Sequence, residues 1–350
     1  MGVGLYYGFV RTVPHEASAA ATSSRNPLAV GRSSTHNGPI TLFLAPSSSS
    51  DGLATIESVG TGPTRVIWQC PRHTWCGQPV SFAWAADGRR VAFTLDEIGG
   101  NSSYVGLHIV NTVTGKDTQI PSGAPPLLSA HYRKATDAYL RKMGARVGCW
   151  PATDLAWSPD GASLAYRCGQ NQYGNTAGNA HLGRAHINVL RLDGSGYRSI
   201  STPTAAYWPS WSPTRTRIAY ATALIRPTQE TRIYTVALDG SQRRLVTTGG
   251  TAPAWSPDGK TIAYQTRCGI RLVTPTGTNV TPRATANWCG AMGRSGPPVW
   301  SPDGKKLAVE TKTGVYVMNA DGSGLHLVSS EQTTTWYGAL PGRPAWRSTN

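Results

Sequence analysis

Residues 255–260 read WSPDGK, and the same string returns at 300–305 and, in shorter form, at 157–161. Aligned on the tryptophan, six copies appear: FAWAADGRRVAF (82–93), LAWSPDGASLAY (155–166), PSWSPTRTRIAY (209–220), PAWSPDGKTIAY (253–264), PVWSPDGKKLAV (298–309) and a truncated PAWRSTN (344–350). The anchors Trp84, Trp157, Trp211, Trp255, Trp300 and Trp346 stand 73, 54, 44, 45 and 46 residues apart. The basic unit is therefore roughly 45 residues, the period of a four-stranded blade.

The physics of one unit can be read from its letters. A short strand ends at Trp. Ser-Pro-Asp-Gly then makes a type I turn in which Ser accepts, Pro presets φ and Gly takes the left-handed conformation. A second strand such as TIAY follows, then a third such as RIYTVAL, an Asp-Gly hairpin turn and a fourth strand such as RRLVTT. Such a meander cannot cover both its faces alone; stacking with its neighbours around an axis does so. The expected fold is all-β: a six-bladed β-propeller of four-stranded antiparallel blades. PAWRSTN is a first strand with no blade after it, and the N-terminal strands ITLFL, LATIESV and TRVIWQ form a blade lacking its first strand. The C-terminal strand is therefore expected to join the N-terminal blade and close the ring, removing its open edges.

Composition agrees. Gly (39), Pro (25) and Trp (12) are abundant while Phe and Met number 4 each, which suits short strands and tight turns rather than a helical bundle. The formal charge is +15, which favours an acidic partner. Eight acidic residues, Asp51, Asp87, Asp160, Asp193, Asp239, Asp258, Asp303 and Asp321, are spent in Asp-Gly turns, so the remaining surface is more basic still. No stretch approaches transmembrane length. Residues 1–37 are expected to be a signal-like or disordered segment, and 38–350 the propeller.

The pattern P-[AS]-W-S-P-D-G-K-x-[IL]-A-[YV] with a later DG[ST] turn resembles the TolB-like family of β-propeller repeats, from about residue 39 onward. Ala85-Ala86 replaces Ser-Pro in one copy, and Thr214-Arg215 replaces Asp-Gly in another. The resemblance implies a propeller and an envelope setting. TolB itself, as the resemblance implies, carries an α/β domain ahead of its propeller and docks an outer-membrane lipoprotein. The 37 residues before the repeats are too few for that domain, so a stand-alone binding propeller is expected.

Meander topology sends the WSPDG and DG[ST] turns to one end of the ring and all long insertions to the other. At that elaborated end lie all six cysteines: Cys70, Cys76, Cys149, Cys168, Cys268 and Cys289. Six cysteines allow fifteen pairings; proximity along the topology favours Cys70–Cys76, Cys149–Cys168 and Cys268–Cys289. An even count on one loop-rich end points to disulfides and an oxidising, extracytoplasmic compartment, free or metal-binding thiols being the alternative. The same end carries Trp75, Trp150, Trp208, Trp288 and the pair Trp336–Tyr337, with Arg72, His73, His131, His181 and Arg226 nearby. These aromatic and basic groups read either as plates for a sugar polymer or peptide, or as plugs between blades. Residues 129–147 have helical periodicity, with Tyr132 on one stripe and Arg133 and Lys134 on the other; a basic lid and an amphipathic plug are equal readings. Lys and Arg after the Asp-Gly turns belong to the repeat and read as structural.

Hydrolase chemistry finds no G-x-S-x-G elbow, and His181 and His186 lack metalloprotease helix spacing. No phosphate-cradling loop occurs, and no cofactor or resident metal is expected. The expected function is non-catalytic binding of a protein or an anionic or glycan envelope polymer by a monomer, without specific nucleic-acid recognition and at most peripheral to a membrane. The alternative is a propeller-fold polysaccharide lyase or hydrolase with a His-lined site.

Overall fold

The computed structural model describes residues 37–44, 52–56, 65–69, 78–96, 106–120, 153–168, 185–193, 197–200, 205–222, 230–266, 269–282, 297–311, 314–329 and 345–348. All belong to one compact unit, Ser34–Asn350. The signal-like segment and the candidate helix at 129–147 lie outside the described residues, apart from Asn37, which opens the first strand.

Among the described residues every element is a strand. The first sheet contains β1 (Asn37–Leu44), β2 (Gly52–Ile56) and β3 (Arg65–Gln69). The second is β4 (Gln78–Trp84), β5 (Arg90–Asp96), β6 (Gly106–Asn111) and β7 (Asp117–Ile120). The third is β8 (Thr153–Trp157), β9 (Ser163–Cys168), β10 (His186–Arg191) and β11 (Tyr197–Ile200). The fourth is β12 (Ala206–Trp211), β13 (Arg217–Thr222), β14 (Arg232–Ala237) and β15 (Arg244–Thr248). The fifth holds β16 (Thr251–Trp255), β17 (Ile262–Thr266) and β18 (Gly269–Val273). The sixth is β19 (Val299–Trp300), β20 (Lys306–Thr311), β21 (Gly314–Asn319) and β22 (His326–Ser329). The last strand, β23 (Ala345–Ser348), pairs antiparallel with β1, Trp346 opposite Ile40, and completes the first sheet in the order β23-β1-β2-β3. Innermost strands neighbour one another from β23 through β4, β8, β12, β16 and β19 and back to β23. The C-terminal strand thus seals the ring, as expected.

Blade completeness departs from expectation. The structure has five four-stranded blades, not six; the fifth sheet has three strands. Its chain returns beside β18 through one isolated bridge, Val273 to Asn279. The Leu272 N–H donates to the Thr281 hydroxyl (2.9 Å) instead of to a backbone carbonyl, and that hydroxyl donates to Leu272 O (3.1 Å). Pro282 follows, with no N–H to continue a ladder. A side chain thereby takes the place of the fourth strand.

The hydrophobic core is divided among the seams between sheets. Ile187, Ile200, Trp211, Ile218 and Tyr220 fill the seam between the third and fourth sheets, and Ala219, Ile233, Val246, Ile262 and Tyr264 the next. The repeat tryptophans bolt these seams. Trp157 Nε1 donates to Ala83 O (2.9 Å), Trp211 to Ala156 O (3.1 Å), Trp300 to Ala254 O (3.0 Å) and Trp346 to Val299 O (3.3 Å). In each case the acceptor is the residue just before the preceding repeat tryptophan. Trp255 differs: its buried Nε1 has no hydrogen-bond partner among the described residues, while its backbone N–H takes the Ser210 hydroxyl (3.0 Å). Between the first two sheets, Asp117 accepts from Trp68 Nε1 and contacts His108 Nδ1, both at 3.1 Å.

The WSPDG turns form as expected. Ser158 donates to Asp160 (2.6 Å) and accepts from Ser163 N (2.9 Å), a pattern repeated at Ser256 and Ser301. Gly161, Gly259 and Gly304 hold φ of 65°, 74° and 70°. In the departing copy Arg215 occupies the same conformation at φ 60° without being glycine, and its guanidinium reaches back to Asp160 of the preceding turn.

Candidate functional site

Three consecutive first strands, β8, β12 and β16, bulge shortly before their repeat tryptophans. The pairing register slips between Thr153 and Ala156, Tyr207 and Ser210, and Thr251 and Ala254. At each slip the residue three before Trp adopts positive φ without being glycine: Asp154 at 56°, Trp208 at 52° and Ala252 at 50°. Bulges re-aim side chains, and non-glycine residues in this region are strained by about 1–2 kcal/mol. Three equivalent strained positions side by side on the innermost strands are a feature that packing alone does not demand.

Two of them build a polar cluster across the seam between the third and fourth sheets. Asp154 accepts from Trp208 N (3.2 Å) and lies 3.7 Å from Arg167 Nε. Arg167 Nε also donates to the Thr153 hydroxyl (2.8 Å), and its guanidinium carbon sits 4.9 Å from the Tyr207 ring centroid. The Tyr207 and Trp208 rings are 5.7 Å apart. Register explains the meeting: Arg167 is the ladder partner of Thr153, so it stands beside Asp154 at the end of β9. Side-chain exposure is 12% for Arg167 and 18% for Asp154. The ion pair is thus largely out of water, held by a hydroxyl and a ring. Chemically this is a shelf: an aromatic face, a fixed guanidinium and a carboxylate, able to stack on a planar or sugar-like surface and to hydrogen-bond its rim.

Of the residues expected to bind, the structure describes Trp208 alone. It is half-buried and packs against the seam between the fourth and fifth sheets. Arg72, His73, Trp75, His131, Tyr132, Arg133, Lys134, Trp150, His181, Arg226, Trp288, Trp336 and Tyr337 lie outside the described residues. So do Cys70, Cys76, Cys149, Cys268 and Cys289; Cys168 is described only as the last residue of β9. Asp154, Arg167 and Tyr207 are additions from the structure. Among the described residues no cluster of three His, Cys, Asp or Glu forms a candidate metal site, and no helix is long and apolar enough to cross a membrane.

No protein-family model and no curated protein matches the chain. Solved structures do. The chain is similar to the putative TolB of Agrobacterium tumefaciens at 20% identity, covering 84% of this chain and 89% of that one, with a TM-score of 0.51. It is similar to TolB of Acinetobacter baumannii at 16% identity, over 89% of this chain and 66% of that one, with a TM-score of 0.56. A chain of the nidogen/laminin complex matches at 12% identity over 89% of this chain and 100% of its own, with a TM-score of 0.58. At these identities the likeness concerns architecture. The repeat motif, the closed ring of antiparallel blades and these similarities agree: the chain is a TolB-like β-propeller in fold.

Proposed function

We propose that the chain is a non-catalytic, extracytoplasmic binding scaffold that docks a protein or an anionic or glycan polymer on the elaborated end of its propeller. The observation that carries this reading is the Asp154–Arg167–Tyr207 shelf, set on strained first-strand bulges beside the strand ends that lead into the long insertions at 121–152 and 169–184. Rigid scaffolds place recognition on such loop ends, and half-desolvated aromatic and arginine groups are the usual anchors of interfaces. The nidogen/laminin structure, similar in fold, is by its name a complex between two proteins, which supports a macromolecular partner in general. The even count of six cysteines, expected from the repeat register to fall at that end, supports the extracytoplasmic setting.

The test is a binding screen of the purified chain against immobilised glycans, anionic polymers and envelope proteins, repeated with Tyr207→Ala. Binding that withstands EDTA and serine-hydrolase probes and weakens about tenfold in the variant supports the reading. A ligand whose chain shortens in the presence of the protein, or an activity abolished by EDTA, decides for the lyase or hydrolase.

A further inference from the structure

We propose a second binding site at the opposite, short-turn end of the ring, where Arg217 and Arg244 hold a phosphate group. It is independent of the elaborated end. Register brings the two residues together. Arg217 opens β13 two residues before Ala219, and Ala219 is the ladder partner of Thr235 on β14. Arg244 is the partner of Thr235 on the other side. Side chains alternate along a strand, so Arg217, Thr235 and Arg244 share one face of the fourth sheet, the face turned to the fifth.

The Arg217 guanidinium crosses β14 to reach the hairpin. It donates to the Thr235 hydroxyl (3.2 Å), to Gln242 Oε1 (3.2 Å) and to the Gln242 carbonyl. Every one of these acceptors is neutral. The Arg244 side chain is exposed and has no hydrogen bond or ion pair among the described residues. Partial burial and the Arg244 charge push the proton affinity of Arg217 below that of a free guanidinium. Two like charges are therefore brought onto one face, Arg217 held by its neutral acceptors and Arg244 unpaired beside it, with no described carboxylate between them. The other wall belongs to the fifth sheet. Its hairpin packs so closely on β15 that a Cβ on Gly277 would come within 3.0 Å of Val246 O. That hairpin carries Thr274, Thr276 and Thr278 and no acid, the Thr274 and Thr276 hydroxyls bonding each other (2.9 Å).

The chemistry of the pair selects its guest. A planar carboxylate is satisfied by one bidentate arginine; a tetrahedral phosphate has oxygens for two guanidiniums and for hydroxyl donors as well. A net charge of +15 draws in anions from a distance. The phosphate can be free or carried on a polymer.

The experiment compares wild type and Arg244→Gln by calorimetric titration and thermal unfolding at constant ionic strength. The probes are inorganic phosphate, linear polyphosphate, and acetate as the carboxylate control. Wild type should bind phosphate and gain thermal stability with it, acetate should do neither, and Arg244→Gln should bind about tenfold more weakly. Without ligand, the variant should unfold at the same temperature as wild type or higher, since it loses a repulsion; a merely structural arginine would give a lower one. Tighter binding of polyphosphate per phosphate than of the free ion assigns the polymer, and equal binding the ion. Undiminished phosphate binding by Arg244→Gln, an equal response to acetate, or no phosphate binding by wild type overturns the proposal.

Discussion

At the scale of the residue, the repeat tryptophans divide into two kinds that their shared motif conceals. Trp211 Nε1 donates across a buried seam to Ala156 O (3.1 Å), whereas Trp255 Nε1 is buried without a described partner. Phenylalanine at Trp211 leaves a buried carbonyl unmet and should destabilise by about 1–3 kcal/mol beyond the change in ring size. At Trp255 the same change removes an unsatisfied donor and should be markedly milder; denaturant midpoints of the two variants check this. Asp160 gives a pH-dependent prediction. The Ser158 hydroxyl foremost, then the Ala162 N–H and Arg215, hold its carboxyl down to about 2 against the effect of partial burial. The folded value lies below the ordinary one of 3.8. Stability from ionised Asp160 is therefore fully present above that value and is lost as the pH falls towards 2. Asp160→Asn should be less stable than wild type at neutral pH, and the gap should close through that acid window in parallel thermal melts.

At the scale of the element, the turns and the closing strand were legible in the sequence because each depends on neighbours in the chain: Ser, Pro, Asp and Gly at fixed offsets, and an unpaired strand at each terminus. The fifth sheet was less so. Pro282 marks the failure of its fourth strand, but the substitution of the Thr281 hydroxyl for a ladder bond to Leu272 depends on how the chain returns. Thr281→Val should speed amide exchange at Leu272 and destabilise by about 1 kcal/mol. The Asp154–Arg167–Tyr207 cluster was the least legible. Trp208 stood out as an aromatic beside a blade connection, yet Asp154, Arg167 and Tyr207 meet only because two bulged strands from different repeats lie side by side. Periodicity places each on its own blade and says nothing about lateral alignment. The signal that was available is that Asp154 and Trp208 both stand three residues before the repeat tryptophan.

At the scale of the whole molecule, stability and binding separate between seams and ends. Seams hold the ring, and the last of them depends on Trp346, buried to 6% exposure and donating to Val299 O. Trp346→Ala should cost about 3–5 kcal/mol in a denaturant titration, while Leu245→Ala, on an outer strand and 50% exposed, should change little. The seams hold the ring without the loop-bearing ends, and the proposed recognition site is the Arg167–Tyr207 shelf. The most direct measurement is the affinity of one screened polymer or protein for wild type and for Tyr207→Ala, with matched thermal melts as the control for folding. An unchanged melt and about a tenfold loss of affinity are expected. Equal affinities with equal melts would contradict the proposed site.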